Sequence, residues 1–139
     1  MQNLKKYVLF VLMTVFVASL AIVPAHAQGI TANVPFDFVL GKTTMKADSY
    51  RLEKQGEFVA IVGVHGRISY SLLLPDRDAA SRDGQPYLIF TRYGTESFLS
   101  KIVFSAKVTY NLPRSGREKE MMAHLHSGEQ VAVLIQPTR

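Results

Sequence analysis

Three kinds of side chain in this sequence carry the chemistry for metal binding or catalysis: histidines, serines near a histidine, and a carboxylate set between aromatic rings. The histidines are His26, His65, His124 and His126. In a strand, His124 and His126 would share a face; in a helix their rings diverge by about 200°. A zinc site needs three or four convergent ligands, commonly including cysteine, and the chain has no cysteine. No metal and no cofactor is therefore expected. His124 and His126 read as the solvated end of a helix, where cations suit the macrodipole, and His65, followed by Gly66, reads as a turn residue.

Nucleophilic catalysis needs a serine beside a histidine that a carboxylate orients. Ser69 and Ser71 are the nearest candidates to His65, but no G-x-S-x-G elbow accompanies them. They alternate with Ile68, Tyr70 and Leu72, and so read as the wet face of a strand. Asp37 sits between Phe36 and Phe38; turned inward, it would have a raised pKa. The period-two pattern turns it outward, toward Arg92 or a backbone amide. Glu118 and Glu120 read as a helix-capping residue and a solvated one. Neither of the glycine-rich phosphate-binding patterns occurs. The chain therefore reads as non-enzymatic, with a hydrolase built on His65 or Asp37 the weakest alternative. Tyr50, Tyr70, Tyr87, Tyr93 and Tyr110, near Arg51, Arg67 and Arg92, could form a binding face, although cross-strand packing accounts for them more simply.

These groups must be held by a small domain. The 139 residues are 47% apolar and 19% charged, which is long enough for one domain and too apolar for a disordered chain. Lys5 and Lys6 precede an apolar run over residues 7–23, broken by Pro24 and followed by Ala25-His26-Ala27-Gln28. This is the pattern of a signal peptide over residues 1–27, with cleavage expected between Ala27 and Gln28 and a single domain over 28–139. The alternative is an uncleaved anchor at the lower length limit for spanning a bilayer. Cleavage removes two lysines and no acid, so the net charge falls from +5 to +3. So mild a balance, with no basic run, gives no nucleic-acid footprint. Export places the domain in the periplasm or outside the cell. Without cysteine it has no disulfide and must stand on core burial alone.

The elements are mainly strands. Residues 30–40 alternate with period two, and Pro35 predicts an edge or a bulge there. Segments 44–53, 58–64, 68–74, 87–93 and 97–106 follow as strands, 58–64 apolar enough on both faces to be central. Gly94-Thr95-Glu96 marks the clearest hairpin, residues 107–112 continue the sheet, and residues 76–85 read as a mobile surface loop. Ser115 and Glu118 form a capping box that opens a short helix with Met121, Met122 and Leu125 on one side and Gly128 at its end. Residues 131–135 are a last apolar strand. The expected fold is all-β and mainly antiparallel: a seven- to eight-stranded sandwich or partly open barrel with one short helix. Eight membrane-spanning strands would leave no room for the helix and the loop, so an outer-membrane barrel is set aside.

The stretches Asn33-Val34-Pro35-Phe36-Asp37-Phe38, Phe90-Thr91-Arg92-Tyr93-Gly94, Phe98-Leu99-Ser100-Lys101-Ile102 and Leu112-Pro113-Arg114-Ser115, with Glu118 and Glu120, resemble an uncharacterised family of small exported bacterial proteins abundant in acidobacteria. The resemblance implies export and a shared β-rich fold, and implies no activity. The functional expectation is a non-catalytic exported domain that binds a protein or polymer of the cell envelope or serves there as a structural module. The alternative is a carrier whose interior, lined by Phe36, Phe38, Phe58 and Phe104, holds an apolar molecule.

Overall fold

The structure, a computed structural model, describes residues 3–4, 29–78 and 84–137. Ala27 and Gln28, the apolar run 7–23 and residues 79–83 of the polar loop lie outside the described residues. The chain is mostly β: strands β1 (Ile30–Val34), β2 (Phe38–Leu40), β3 (Thr43–Met45), β4 (Asp48–Gln55), β5 (Phe58–Gly63), β6 (Ile68–Leu72), β7 (Leu74–Pro75), β8 (Tyr87–Tyr93), β9 (Glu96–Ser105), β10 (Val108–Asn111) and β11 (Glu129–Pro137), with a short helix, α1 (Gly116–Leu125), before β11. Among the described residues no helix is long and apolar enough to cross a membrane.

Two meanders build the sheet. In one, β4, β5 and β6 pair in succession; in the other, β8, β9 and β10 do so. β1 and β11 lie side by side between them, β1 on β4 and β11 on β8. At Leu73 the chain changes partner, from β5 through β6 to β10 through β7, and this brings the sheet nearly back onto itself. With β6 and β7 taken as one interrupted strand, the antiparallel ring has eight strands, which fits the expected barrel. The larger number of separate elements has a local cause. Pro35 has no N–H, so the segment 30–40 divides there into β1 and β2.

Pro35 therefore ends a strand rather than marking an edge, and β1 is paired on both sides. Beyond it, β2 and β3 form a hairpin whose β2 meets β9 in a parallel contact at Val39 and Phe98. This hairpin delivers Phe38, Leu40 and Met45 into the main hydrophobic cluster beside Tyr50, Leu52, Ile61 and Phe90. The rings interlock edge to face: Phe38 lies 5.3 Å from Tyr50 and 5.1 Å from Phe90, and Phe36 lies 5.0 Å from Phe90. Such geometry sets the positive ring edge on the negative face.

Strand β6 corrects an expectation. Ile68 and Tyr70 are 50% and 61% exposed, whereas Ser69 is buried. Register explains the inversion: Ser69 stands opposite Ile61 and Ser71 opposite Val59, while Ile68 and Tyr70 face Val62 and Ala60. Because β5 is apolar on both faces it accepts either phase, and the phase is set by Leu73. That residue is 3% exposed, and its amide donates to the Glu57 carbonyl at 2.7 Å. A side chain buried at 73 carries 69 and 71 to the same face. Tyr70→Ser is thus expected to cost less than about 1 kcal/mol, and Leu73→Ala about 2–5 kcal/mol. Urea unfolding of the two variants checks this; a larger loss from Tyr70→Ser than from Leu73→Ala would mean that the phase is as the alternation alone suggests.

Candidate functional site

The site begins where β10 ends. Leu112 keeps the chain against β9 through its amide, which donates to the Ser100 carbonyl at 2.9 Å. Pro113 then turns the chain away from the ladder. Ser115, in extended conformation, caps α1: its Oγ accepts from the Glu118 amide at 3.0 Å. This half of the capping box is as expected. The other half is not formed, since the Glu118 side chain makes no hydrogen bond among the described residues. Instead it is buried, with 3% of the residue exposed, and it is the buried residue of the helix. Met121 and Met122 are only half-buried and Leu125 is exposed.

The helix lies across the outer face of β8 and β9. Tyr93 and Phe98, with rings 6.0 Å apart, are buried there outside the main cluster. Arg117 ties the first turn to Glu96 at the start of β9, its Nε donating to Oε2 at 3.1 Å. The helix ends two residues earlier than expected. His126, with φ of 57°, takes the left-handed position and its amide donates to the Met122 carbonyl at 3.0 Å. Gly128 has a different task, since a Cβ on it would stand 2.5 Å from Thr91 Cγ2 and 2.9 Å from Tyr93 Cε1. It lets the chain pass close over β8.

Beneath the entry to α1 the chain leaves a cleft of about 430 Å³. Its walls include Ile89, Thr91, Ser100 and Lys101 from β8 and β9, Leu112, Pro113 and Arg114 from the connection, Glu118 from α1 and Gln130 from β11. The Thr91 and Ser100 hydroxyls lie 2.5 Å apart, and Ser100 also donates to the Phe98 carbonyl at 3.2 Å. Lys101 is engaged by Asp76 at 2.8 Å. Arg114 is exposed at the rim. Burial of most of Glu118 costs its carboxyl part of its hydration, and what remains accessible faces the open polar cleft.

Burial drives the Glu118 carboxyl above its ordinary pKa, and the Arg114 cation opposes part of that rise. The folded state therefore binds this proton more tightly than the unfolded chain. The resulting stability is fully present below the ordinary glutamate value and is lost as pH rises through the folded value. Asp37, Asp48, Asp76 and Glu96 have the opposite sign. Hydrogen bonds from Lys46, His65, Lys101 and Arg117, respectively, hold them below their ordinary values, so their contribution is lost as pH falls. Glu118→Gln is expected to raise stability relative to the wild type at pH 7 and to lose most of that advantage at pH 4. Urea unfolding at the two pH values checks the sign.

The residues singled out from sequence are scattered. His65 is in a turn, as expected, its Nδ1 2.9 Å from Asp48 Oδ2, with its side chain 85% exposed. Ser71 bonds weakly to the Leu72 carbonyl, and neither Ser69 nor Ser71 has a hydrogen bond to His65. Ser69 is not on the wet face. His124 lies in the last turn of α1 and His126 caps it; among the described residues no three His, Asp or Glu side chains cluster as metal ligands would. Asp37 points outward and accepts from Lys46 Nζ and the Ala47 amide, each at 2.9 Å. The expected backbone amide is thus its partner. Arg92 is not: it lies 5.2 Å over the Phe36 ring. Tyr50 and Tyr93 are core residues, Tyr87 and Tyr110 are half-buried, and Tyr70 stands in solvent, so the tyrosines form no common face. Of the rings named for an apolar cavity, Phe38 is buried among other rings, Phe36 is half-buried against Phe90, Phe104 packs edge-on against Tyr110 at 5.8 Å, and Phe58 is 51% exposed.

Glu118 is the residue that sequence reading missed. Its signal was its place in a stripe: Met121, Met122 and Leu125 follow it at three, four and seven residues, the spacing of one helical face. A carboxyl in line with that stripe is turned toward the sheet. Comparison of the chain with family models, with curated proteins and with solved structures returns no match.

Proposed function

We propose that this protein is an exported, non-catalytic domain of the cell envelope that binds a polymer or protein there through the cleft beneath α1. Export rests on the cationic, apolar and A-x-A pattern of residues 1–27 and on the resemblance to small exported bacterial proteins. Binding rests on one observation: Glu118 is 3% exposed, its carboxyl makes no hydrogen bond among the described residues, and it lines an open cleft of about 430 Å³. That volume is within the range of about 300–1,000 Å³ typical of ligand sites. A non-catalytic role is favoured because His65, Asp37 and Glu96 are each exposed or engaged in local pairs. The interlocked rings of Phe36, Phe38, Phe90 and Tyr50 favour a filled interior over an apolar carrier cavity.

Co-sedimentation with isolated envelope tests the reading. The protein is expected to pellet with the envelope, and Gln130→Ala, an exposed change on the cleft wall, to reduce the pelleted fraction severalfold. An undiminished fraction would remove the cleft as the contact, and failure to pellet would remove the envelope as the partner.

A further inference from the structure

We propose that the cleft beneath α1 is a saccharide site, in which neighbouring hydroxyls of an uncharged sugar ring bond to the Glu118 carboxyl and to the polar groups around it. The proposal deepens the binding reading above and rests on it. Three features of the cleft select the ligand class.

The first is a carboxyl without a hydrogen bond among the described residues. Glu118 is 3% exposed, lines the cleft, and has no hydrogen bond to its side chain among the described residues. A carboxylate accepts from several donors at once, so a ligand that engages it must bring donors.

The second is charge. A cationic donor would meet Arg114 at the rim, the same cation that acts on Glu118. An anionic ligand would meet Glu118, and Lys101, the other cation of the wall, is already neutralised by Asp76 at 2.8 Å. A sugar hydroxyl donates to the carboxyl and accepts from guanidinium or amide without adding charge. Arg114 and Gln130 supply those donors, and hydrogen bonds to charged groups are the stronger kind.

The third is the surface between the polar groups. Ile89, Leu112 and Pro113 give the same cleft apolar walls against which the C–H face of a sugar ring can lie. The alternation of polar and apolar lining suits a molecule whose own surface alternates in the same way.

NMR titration of the isotope-labelled protein, as an exporting host produces it, separates the possibilities. The probes are cellotetraose and chitotetraose as neutral sugars, trigalacturonate as an anion and trilysine as a cation. A neutral sugar is expected to shift the amides of Thr91, Ser100 and Gln130. Glu118→Ala is expected to weaken that binding at least tenfold. Should Glu118→Ala fail to fold, Glu118→Gln, of the same shape, and Gln130→Ala serve instead, each expected to weaken binding severalfold. Cleft shifts with a charged probe but with neither neutral sugar overturn the saccharide assignment and leave the cleft as a binding site. Absence of cleft shifts with every probe overturns the saccharide assignment too. If the protein still pellets with envelope in that case, its contact is elsewhere. Sugar binding that is indifferent to all three variants also overturns the proposal.

Discussion

Phe90→Ala is expected to destabilise the protein by about 3–5 kcal/mol, the cost of emptying a fully buried aromatic position. Phe90 has 0% exposure and its ring touches both Phe36 and Phe38 edge to face. It is therefore the point where the β2–β3 hairpin locks onto the ring of strands. Domains of this size have a total stability of about 5–15 kcal/mol, so the variant is left marginal, with a melting temperature lower by roughly 10 °C or more. Phe58→Ala is the control. Phe58 is 51% exposed on the outer face of β5, and its loss is expected to cost less than about 1 kcal/mol. Thermal and urea unfolding of the two variants measure the difference. Similar losses would contradict the placement of the core.

Gly128→Ala is expected to destabilise by about 1–3 kcal/mol, the cost of overpacking, although the residue lies in an exposed stretch where such a change is commonly neutral or helpful. The added methyl would meet Thr91 at 2.5 Å and the buried Tyr93 ring at 2.9 Å, and the ring is itself packed against Phe98. Neither neighbour can retreat without opening the layer between α1 and β8. Gly116→Ala gives the opposite sign. Nothing lies within 4 Å of its missing Cβ and it is the first residue of α1, so alanine is expected to stabilise by up to about 1 kcal/mol. If both glycine variants moved stability in the same direction, the close pass of residue 128 over β8 would be wrong.

The fold was legible wherever one residue type dictates backbone geometry. Gly94 takes φ of 60° in the hairpin read from Gly94-Thr95-Glu96, and Ser115 caps α1 through the Glu118 amide. Of the even positions that the period-two alternation of residues 30–40 sets on one face, Ala32, Val34, Phe38 and Leu40 are buried, while Ile30 and Phe36 are half-buried. Reading failed where local pattern is degenerate. Along residues 68–74 both phases offer apolar residues, and only the tertiary burial of Leu73 decides between them. At residues 124–128 two αL candidates compete: glycine is the better C-cap by propensity, but the close approach of β8 claims Gly128 for packing and leaves His126 to adopt the left-handed turn. The candidate site was the least legible. A carboxyl at the third position of a helix ordinarily serves the cap, and the stripe of Met121, Met122 and Leu125 that places it toward the sheet was read for those apolar residues alone.

Burial of Glu118 against an open cleft is the claim on which site, function and ligand class all depend. The direct measurement is a carboxyl-carbon NMR titration of Glu118 and Glu96 in the same sample, with the Thr91, Ser100 and Gln130 amides followed in parallel. Glu118 is predicted to lose its proton at a distinctly higher pH than Glu96, with the three cleft amides shifting in step with Glu118. A Glu118 that titrates together with Glu96, with no response in those amides, would contradict the account.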